Sequence, residues 1–267
     1  MISIDFFKKS DIIKVKYIFE IKCILMGSKY MKLDLHVHTS GISRCCRIPA
    51  ETVLSVAKNI GLDGIVLTNH YTIDYVKDGD ALAFARDYIA EYEYTKQLGE
   101  AMGLKVFFGV EVTWEGNRPL HILLYGVPTD FVLKHPTMYD YSPKELYDAV
   151  KAVGGAVIQA HPFRNRMTVL PSDCLDGVEI NCHPIYRESC AEKLIDIAHK
   201  EKWIVTCGGD FHADTYRPIC ATVLPDFINE NAEIAEFLLS AEKVELLIHE
   251  PLTASPYRYR YFRDGRA

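Results

Sequence analysis

Short polar motifs built from histidine and carboxylate residues recur along this 267-residue chain. Most of them follow directly after an apolar run, and together they supply eight potential metal donors: His36, His38, His70, Glu111, His121, His161, Asp210 and His212. Each residue alone has an ordinary role open to it, as a buried histidine, a surface carboxylate or a helix cap. Independent roles give no reason for the eight to cluster at the ends of apolar runs while lysine avoids them. The pattern therefore predicts metal binding.

The types and number of these donors narrow the chemistry. Imidazole and carboxylate suit Zn, Mn or Fe and disfavour an all-oxygen Ca or Mg site. Eight donors are too many for one tetrahedral zinc, so they predict two or three divalent metals that share a bridging carboxylate. Two metals about 3.5–4 Å apart can produce a hydroxide nucleophile and stabilise the oxygens of an in-line displacement. Hydrolysis at phosphorus or at a carbonyl is the predicted reaction.

The sequence between the motifs alternates between strand-like and helical segments. Seven apolar, β-rich runs lie at 32–37, 64–68, 105–112, 120–125, 156–160, 177–181 and 203–207. Helical periodicity lies at 49–60, 79–102, 142–153 and 190–202. This alternation predicts a mostly parallel sheet of the α/β class. With about seven strands and no glycine-rich dinucleotide motif, a closed or distorted (β/α) barrel is favoured over an open sheet. The carboxyl ends of parallel barrel strands form one face, so we expect the metal site there.

The composition is that of a globular protein with a sizeable core, with 49% hydrophobic and 25% charged residues. A formal net charge of −6 argues against a nucleic-acid polymer as partner, because phosphate-backbone binding needs clustered Lys and Arg. Eight cysteines without a secretory signal predict reduced thiols and a cytoplasmic protein. Residues 1–30 indicate either a poorly packed extension or an upstream translation start, and their apolar run is too short to span a membrane. Residues 31–267 are expected to form one catalytic domain.

Six of the motifs, in this order, resemble those of the PHP (polymerase and histidinol phosphatase) domain family: DLHVH, LTNH, GVE, LHILLYG, AHPF and GGDFH. The resemblance covers roughly residues 32–250. It implies a distorted (β/α)7 barrel with a di- or trinuclear metal centre, at which a metal-bound hydroxide hydrolyses a phosphoester. The implied substrate is a small phosphomonoester, such as histidinol phosphate, a nucleotide or a sugar phosphate.

Carried over residue by residue, the resemblance implies three ligand sets. The first metal would be bound by His36, His38, Glu111 and Asp210. The second would be bound by Glu111, as a bridging ligand, with His121 and His161. The third would be bound by His70 and His212. Glu111, Asp210 and His212 are also the expected catalytic residues.

The family supplies one more ligand to the third metal from the segment after the His-x-His pair. In this chain the segment reads Ser43-Arg44-Cys45-Cys46. Cys45 is therefore either a thiolate ligand or a residue that only packs the loop, and Cys46 is the weaker candidate. A neighbouring metal lowers the pKa of a thiol, which makes thiolate ligation chemically reasonable.

Three further residues are candidates for contacts to the substrate phosphate. Arg164 follows the AHPF motif directly, Arg44 lies in the loop after the His-x-His pair, and His183 follows the sixth apolar run. A guanidinium can bind phosphate oxygens through two parallel hydrogen bonds. For each of the three, a solvated loop side chain is the alternative.

Other activities stay open at this point. An amidohydrolase-type barrel also opens with His-x-His, but it typically bridges its metals with a strand-end lysine, which these motifs lack. A phosphodiesterase or exonuclease belongs to the same family. A catalytically decayed metal-binding module is the non-enzymatic alternative, although this chain keeps all eight donors.

Overall fold

The computed structural model of the protein describes residues 29–116, 119–213 and 219–265. Its strands are β1 (Tyr30–Val37), β2 (Gly64–Leu67), β3 (His70–Tyr71), β4 (Lys105–Trp114), β5 (Leu120–Tyr125), β6 (Ala156–Gln159), β7 (Gly177–Asn181), β8 (Ile204–Gly208), β9 (Ala221–Pro225), β10 (Lys243–Ile248) and β11 (Tyr257–Phe262). Its α-helices are α1 (Ala50–Asn59), α2 (Ala81–Met102), α3 (Phe131–Lys134), α4 (Pro143–Ala152), α5 (Ala191–Glu201) and α6 (Asn231–Ser240). The prediction for residues 1–30 falls, up to residue 28, outside the described residues.

Local sequence explains where the two best-defined helices begin and end. Helix α4 starts with a capping box, in which Ser142 and Glu145 each accept from the other's backbone amide, and proline occupies its first turn. Helix α2 starts at Asp80, whose side chain accepts from the Ala83 amide, and it ends at Gly103 in the left-handed conformation. All four helical segments expected from the sequence are present. None of the helices described here has both the length and the apolar character that a membrane crossing requires.

The strands form one sheet that curls into a nearly closed barrel. Its order is β11-β10-β9-β1-β2-β4-β5-β6-β7-β8, with β3 paired to β4. The free edge of β8 returns to β1, where Val37 and Phe211 form a parallel bridge. The amide of His38 donates to Phe211 O at 3.3 Å, and the amide of Phe211 donates to His36 O at the same distance. The predicted distorted barrel of the α/β class is thus confirmed.

The sheet is less parallel than the sequence suggested. Strand β5 runs antiparallel to both β4 and β6, and β9, β10 and β11 add an antiparallel extension beside β1. Too few residues separate β4 from β5 for a helical crossover, so the two strands form a hairpin. The reversal places the start of β5 at the same end of the barrel as the carboxyl end of β4. His121, at the start of β5, pairs with Thr113 and so reaches the barrel mouth from the opposite chain direction.

Two clusters of apolar side chains form the core. The larger one packs helices α1, α2, α4 and α5 against the sheet. The smaller one joins α6 to strands β1, β4, β5 and β6, through residues such as Leu238, Leu35, Phe107 and Leu123. Together they fix the strand ends that carry the polar motifs.

Candidate metal centre

Glu111, near the end of β4, lies at the centre of a buried group of imidazoles, which we call the histidine cluster. Its Oε1 lies 3.2 Å from His36 Nε2, 3.1 Å from His121 Nδ1 and 3.3 Å from His161 Nε2. Its Oε2 lies 2.5 Å from His70 Nδ1 and 3.5 Å from His38 Nε2. The Glu111 side chain is fully buried. One carboxylate therefore faces five histidines that come from five different strands or loops.

Asp210 closes the other side of the histidine cluster. Its Oδ1 lies 3.4 Å from His36 Nε2, 3.2 Å from His38 Nε2 and 3.3 Å from His212 Nδ1. Asp210 and His161 both have left-handed backbones, with φ of 52° and 30°. Non-glycine residues adopt this region at a cost and are concentrated at functional sites. The strained backbone turns both side chains inward at the ends of β8 and β6.

The structure thus brings together all eight donors that the sequence singled out. They form four groups of three whose ligand atoms lie within 4.8 Å of one another: His36/His38/Asp210, His36/Glu111/His161, His70/Glu111/His121 and His38/His70/His212. The first group belongs to the first expected ligand set, and the second and fourth share pairs with the other two sets. That these residues bind metals stays a prediction.

Several buried polar atoms in the histidine cluster lack a hydrogen-bond partner among the described residues. They are His36 Nε2, His38 Nε2, Glu111 Oε2, His161 Nδ1 and Asp210 Oδ1. An unsatisfied buried polar atom costs about 1–3 kcal/mol, and more when it is charged. Five such atoms at one place are not expected of a packed core. Bound divalent cations would satisfy the facing lone pairs, so the residues present fit a metal centre.

Neighbouring side chains orient three of the imidazoles. His36 Nδ1 lies 2.9 Å from Glu179 Oε1, His38 Nδ1 lies 3.0 Å from Ser43 Oγ, and His70 Nδ1 lies 2.9 Å from Thr113 Oγ1. When Nδ1–H donates to such a partner, Nε2 is left as the free lone pair. This arrangement is typical of metal-binding histidines.

The carboxylates and imidazoles of the histidine cluster shift one another's pKa values. Burial alone would raise the pKa of Glu111, but the charges of His70 and His36 outweigh it and hold that pKa well below its usual range. Burial alone would lower the pKa of His70, but the charge of Glu111 and the hydrogen bond to Cys45 raise it to about 10. Burial lowers the pKa of His161 to about 4. Without a cation the two carboxylates thus hold protons on neighbouring imidazoles.

The two cysteines after the His-x-His pair differ in their surroundings. Cys45 Sγ lies 3.1 Å from His212 Nε2, whereas Cys46 Sγ contacts the backbone oxygens of His38 and Ile48 at 3.5 and 3.6 Å. Burial alone would raise the pKa of Cys45, but hydrogen bonds from His212 and His70 outweigh it and lower the pKa to about 6. Burial raises the pKa of Cys46 to about 11. Cys45 faces the histidine cluster, and Cys46 packs the loop.

No protein-family model matches the chain. An uncharacterized protein from Methanocaldococcus jannaschii is 29% identical over 164 residues, which cover 56% of this chain and 81% of that protein. A two-domain protein from Bacteroides vulgatus that contains a predicted PHP-like metal-dependent phosphoesterase superposes with a TM-score of 0.58 and 17% identity. The alignment covers 84% of this chain but only 66% of that one.

A second solved structure, from Bifidobacterium adolescentis and also assigned as a metal-dependent phosphoesterase, superposes with a TM-score of 0.51 and 19% identity. The alignment covers 78% of this chain and 96% of that one. The fold is PHP-like. The resemblance inferred from the six motifs is therefore confirmed at the level of the fold, and the barrel brings the donor residues of all six motifs together at its mouth.

Arg164 does not lie on the solvated rim of the PHP-like barrel. Its side chain is only 9% exposed, and Nη1 donates to Asp210 Oδ2 at 2.6 Å. The second nitrogen, Nη2, donates to Asn181 Oδ1, and the guanidinium stacks 3.9 Å above the Tyr186 ring. Arg164 thus adds a fixed positive charge beside the histidine cluster.

The other two substrate candidates have different positions. The His183 ring lies 6.1 Å from the His212 ring, at the edge of the histidine cluster, and burial lowers its pKa to about 4. Arg44 instead donates to the backbone oxygens of Asp74 and Tyr75, and its guanidinium lies over the Tyr75 ring. The described contacts of Arg44 hold the turn at Ile73–Tyr75 rather than reaching the donors.

Sequence reasoning missed two buried carboxylates that support the donors. Glu179, within β7, accepts through Oε2 from the His161 amide at 3.1 Å, in addition to its contact with His36. Asp34 Oδ1 accepts from the amides of His36 and Gly209, at 3.0 and 2.9 Å. Burial raises the pKa of Asp34 to about 7. Both residues are charged positions inside apolar strands, which is the signal that could have identified them.

Proposed function

We propose that this PHP-like protein is a metal-dependent phosphoesterase that hydrolyses a small phosphomonoester. The observation that carries the proposal is the convergence of eight imidazole and carboxylate donors, with unpartnered buried atoms, at the open end of the barrel. The names of the structural neighbours support the same class of reaction. When bound, divalent metals supply a nucleophile at neutral pH and neutralise charge on phosphoryl oxygens.

The ligand sets expected from the sequence are compatible with this geometry. His36, His38 and Asp210 would hold one ion, Glu111 would bridge, and His121 and His161 would complete a second set. Glu179 would keep His36 in the tautomer that presents Nε2. Zn, Mn and Fe are the metals that suit these donors.

Arg164 would stabilise the negative charge of the phosphoryl group. Its guanidinium already pairs with Asp210, so the charge lies where an anionic substrate meets the donors. Stacking on Tyr186 and the hydrogen bond to Asn181 fix its orientation before substrate arrives. His183, whose low pKa keeps its ring neutral at pH 7, would contact the substrate as a hydrogen-bonding group rather than as a cation.

The test measures phosphate release from a panel of monoesters, namely histidinol phosphate, nucleotides and sugar phosphates, with purified protein and added Mn²⁺. Phosphodiesters are run in parallel. We expect release from at least one monoester, loss of release with EDTA, and loss in Asp210→Asn. Asp173→Asn, an exposed carboxylate in the turn before β7, is the matched control and should keep the activity. Release from diesters alone, or from no compound with metal-loaded protein, would contradict the proposal.

A further inference from the structure

We propose that Cys45 binds the third metal as a thiolate, together with His70 and His212, so that this position alone has a sulfur ligand. The inference rests on the metal centre of the proposed function, but it does not depend on which reaction occurs there. Its basis is the placement of one sulfur and three imidazoles at the same corner of the barrel mouth.

The second ring nitrogen of His212, Nε2, points at the Cys45 thiol. His212 Nδ1 lies 2.7 Å from Asp210 O, a contact in which Nδ1–H donates to the carbonyl. Its Nε2 lies 3.1 Å from Cys45 Sγ, and a cation bound between the two would displace the proton they share. His70 is oriented in the same way, because its Nδ1 contacts Thr113 Oγ1 and Glu111 Oε2 and its Nε2 therefore lies on the other side of the ring. Two imidazoles thus present their second nitrogen toward the corner that contains the sulfur.

His38, whose Nε2 would bind the neighbouring first ion, places a third imidazole beside this corner. Its Nε2 is fully buried and has no hydrogen-bond partner among the described residues. The His38 ring lies 4.4 Å from the His70 ring and 4.2 Å from the His212 ring, and the three form one donor group. Three imidazole nitrogens that face one another cannot all be satisfied by hydrogen bonds among themselves, whereas one metal ion can bind several of them.

The neighbours of Cys45 hold its loop in place. Arg44 donates through Nη1 to Asp74 O at 2.9 Å and through Nη2 to Tyr75 O at 3.2 Å. The Tyr75 hydroxyl lies 3.7 Å from Cys45 Sγ and donates to it. Cys46 points away, toward backbone oxygens. These contacts give Arg44 a role in holding the sulfur, which sequence reasoning did not foresee.

A thiolate changes which metal this position selects. Soft thiolate ligands favour Zn²⁺ and related ions, whereas carboxylate and imidazole accept Mn²⁺ as well. The ligand sets around Glu111 contain only nitrogen and oxygen donors. We therefore expect a mixed centre, in which the Cys45 position keeps a thiophilic ion while the others exchange.

The experiment uses the full chain, freed of metal and titrated with Co²⁺ while its absorption is recorded. A thiolate ligand gives a sulfur-to-cobalt charge-transfer band in the near ultraviolet, and nitrogen and oxygen ligands alone give only the weaker visible bands. We expect the charge-transfer band in the wild type, its loss in Cys45→Ser, and its retention in Cys46→Ser and Cys190→Ser. Bound cobalt per chain should fall by one in Cys45→Ser only.

A second readout needs no variant. Metal-loaded and metal-free wild type are alkylated with iodoacetamide, and the modified cysteines are mapped by mass spectrometry. Metal should protect Cys45, the exposed thiol of the loop. Visible cobalt bands without a charge-transfer band, or equal alkylation of Cys45 in both forms, would overturn the proposal while leaving the metal centre intact. Absence of any bound cobalt would instead contradict the proposed function, whatever the role of Cys45.

Discussion

Two buried clusters of potential metal ligands adjoin each other in the barrel, and they differ in how their polar atoms are satisfied. One is the histidine cluster around Glu111. The other, which we call the thiol cluster, consists of Cys182, Cys207 and Cys220, all fully buried. Asp34 connects them, since its Oδ1 accepts from the His36 amide and its Oδ2 lies 3.9 Å from Cys220 Sγ.

The thiols are satisfied by their own surroundings. Cys207 Sγ donates to Leu247 O at 3.3 Å, and Cys182 Sγ accepts from the His249 amide at 3.4 Å. Cys182 and Cys207 also contact each other, sulfur to sulfur, at 3.6 Å. Burial holds the pKa values of Cys207 and Cys220 well above the ordinary value, so both stay neutral thiols.

The histidine cluster shows the opposite pattern. It holds every group of three close donors found among the described residues, and it contains most of the unpartnered buried side-chain atoms found there. The comparison teaches that ligand-type residues alone do not mark a metal site. Facing lone pairs that the protein leaves unsatisfied are the stronger sign, and the predictions below test that distinction.

The largest expected effect comes from Glu111→Gln. The substitution keeps the shape of the side chain but removes the charge that faces five imidazoles. We expect bound metal to fall and phosphate release to drop by about a thousandfold or more, because metal ions contribute several kcal/mol to stabilising such reactions. Metal content by mass spectrometry and kcat on the best monoester are the measurements.

Glu236→Gln on the exposed face of α6 is the matched control, and it should leave metal content and kcat unchanged. A Glu111→Gln protein that still binds the wild-type amount of metal would show that the carboxylate does not bridge the ions. The distinction between the two clusters would then need another physical basis.

Glu179→Gln should give a smaller effect through metal affinity. The Glu179 carboxylate contacts Nδ1 of His36 and not the Nε2 that would bind metal, so it orients this ring. It also accepts from the His161 amide. The loss of such a supporting partner typically weakens metal binding by about 10–100-fold. Competition with a chromophoric chelator measures the affinity.

A purely structural role for Glu179 predicts a different outcome. In that case the melting temperature of the metal-free protein would fall while the metal affinity of the folded fraction stayed the same. An added Cβ at Gly208 would lie 2.4 Å from Glu179 Oε1 and 2.6 Å from His36 Cβ. Gly208→Ala should therefore displace both Glu179 and His36 and lower metal affinity at least as much as Glu179→Gln.

The sequence predicted the eight donors because each lies in a local motif at the edge of an apolar run. It could not predict Glu179 as a partner of His36, since 143 residues separate the two in the chain. Nor could the sequence predict that the Arg164 side chain is buried against Asp210. This placement depends on left-handed backbones at Phe163, Asn165 and Arg166, and no glycine signals that turn.

Strand order was only partly predictable. The seven runs were recognised from β-rich apolar stretches, but β9, β10 and β11 were not recognised as strands. Helix α6 lies between β9 and β10, yet these two strands pair antiparallel, and β9 also pairs antiparallel with β1. The rule that strand–helix alternation indicates parallel pairing therefore held for β1, β2 and β4 and for β6, β7 and β8, but it failed at β5 and at β9 to β11.

Protons and metal should compete at the histidine cluster. The folded-state pKa of His70 is raised to about 10, so the protonated form contributes stability to the metal-free protein. That contribution is fully present below about pH 6.5, the unfolded value, and it is lost as the pH rises through about 10. Metal binding must displace this proton.

We therefore expect metal affinity to increase with pH across that window, by about tenfold per pH unit for each proton released. Calorimetric titrations in buffers of different ionisation enthalpy count the protons released. Metal binding that releases no protons between pH 7 and 9 would show that the imidazoles are already neutral in the metal-free protein.

The smallest effect on metal binding is expected for Cys207→Ala, in the thiol cluster. The substitution removes a buried sulfur that donates to Leu247 O, so we expect a loss of about 1 kcal/mol in the free energy of unfolding. Metal content and affinity should not change, since the thiols are satisfied without a cation. Cys207→Ser, which keeps a hydrogen-bond donor toward Leu247 O, is the companion variant.

Chemical denaturation of the metal-free protein measures the stability, and mass spectrometry measures the metal. If Cys207→Ala lost a metal ion, the thiol cluster would itself be a ligand site, and unpartnered lone pairs would no longer separate the two clusters. If both variants kept their metal and only Cys207→Ala lost stability, the contribution of Cys207 would be its hydrogen bond to Leu247 O, which joins β8 to β10, and not a metal ligand.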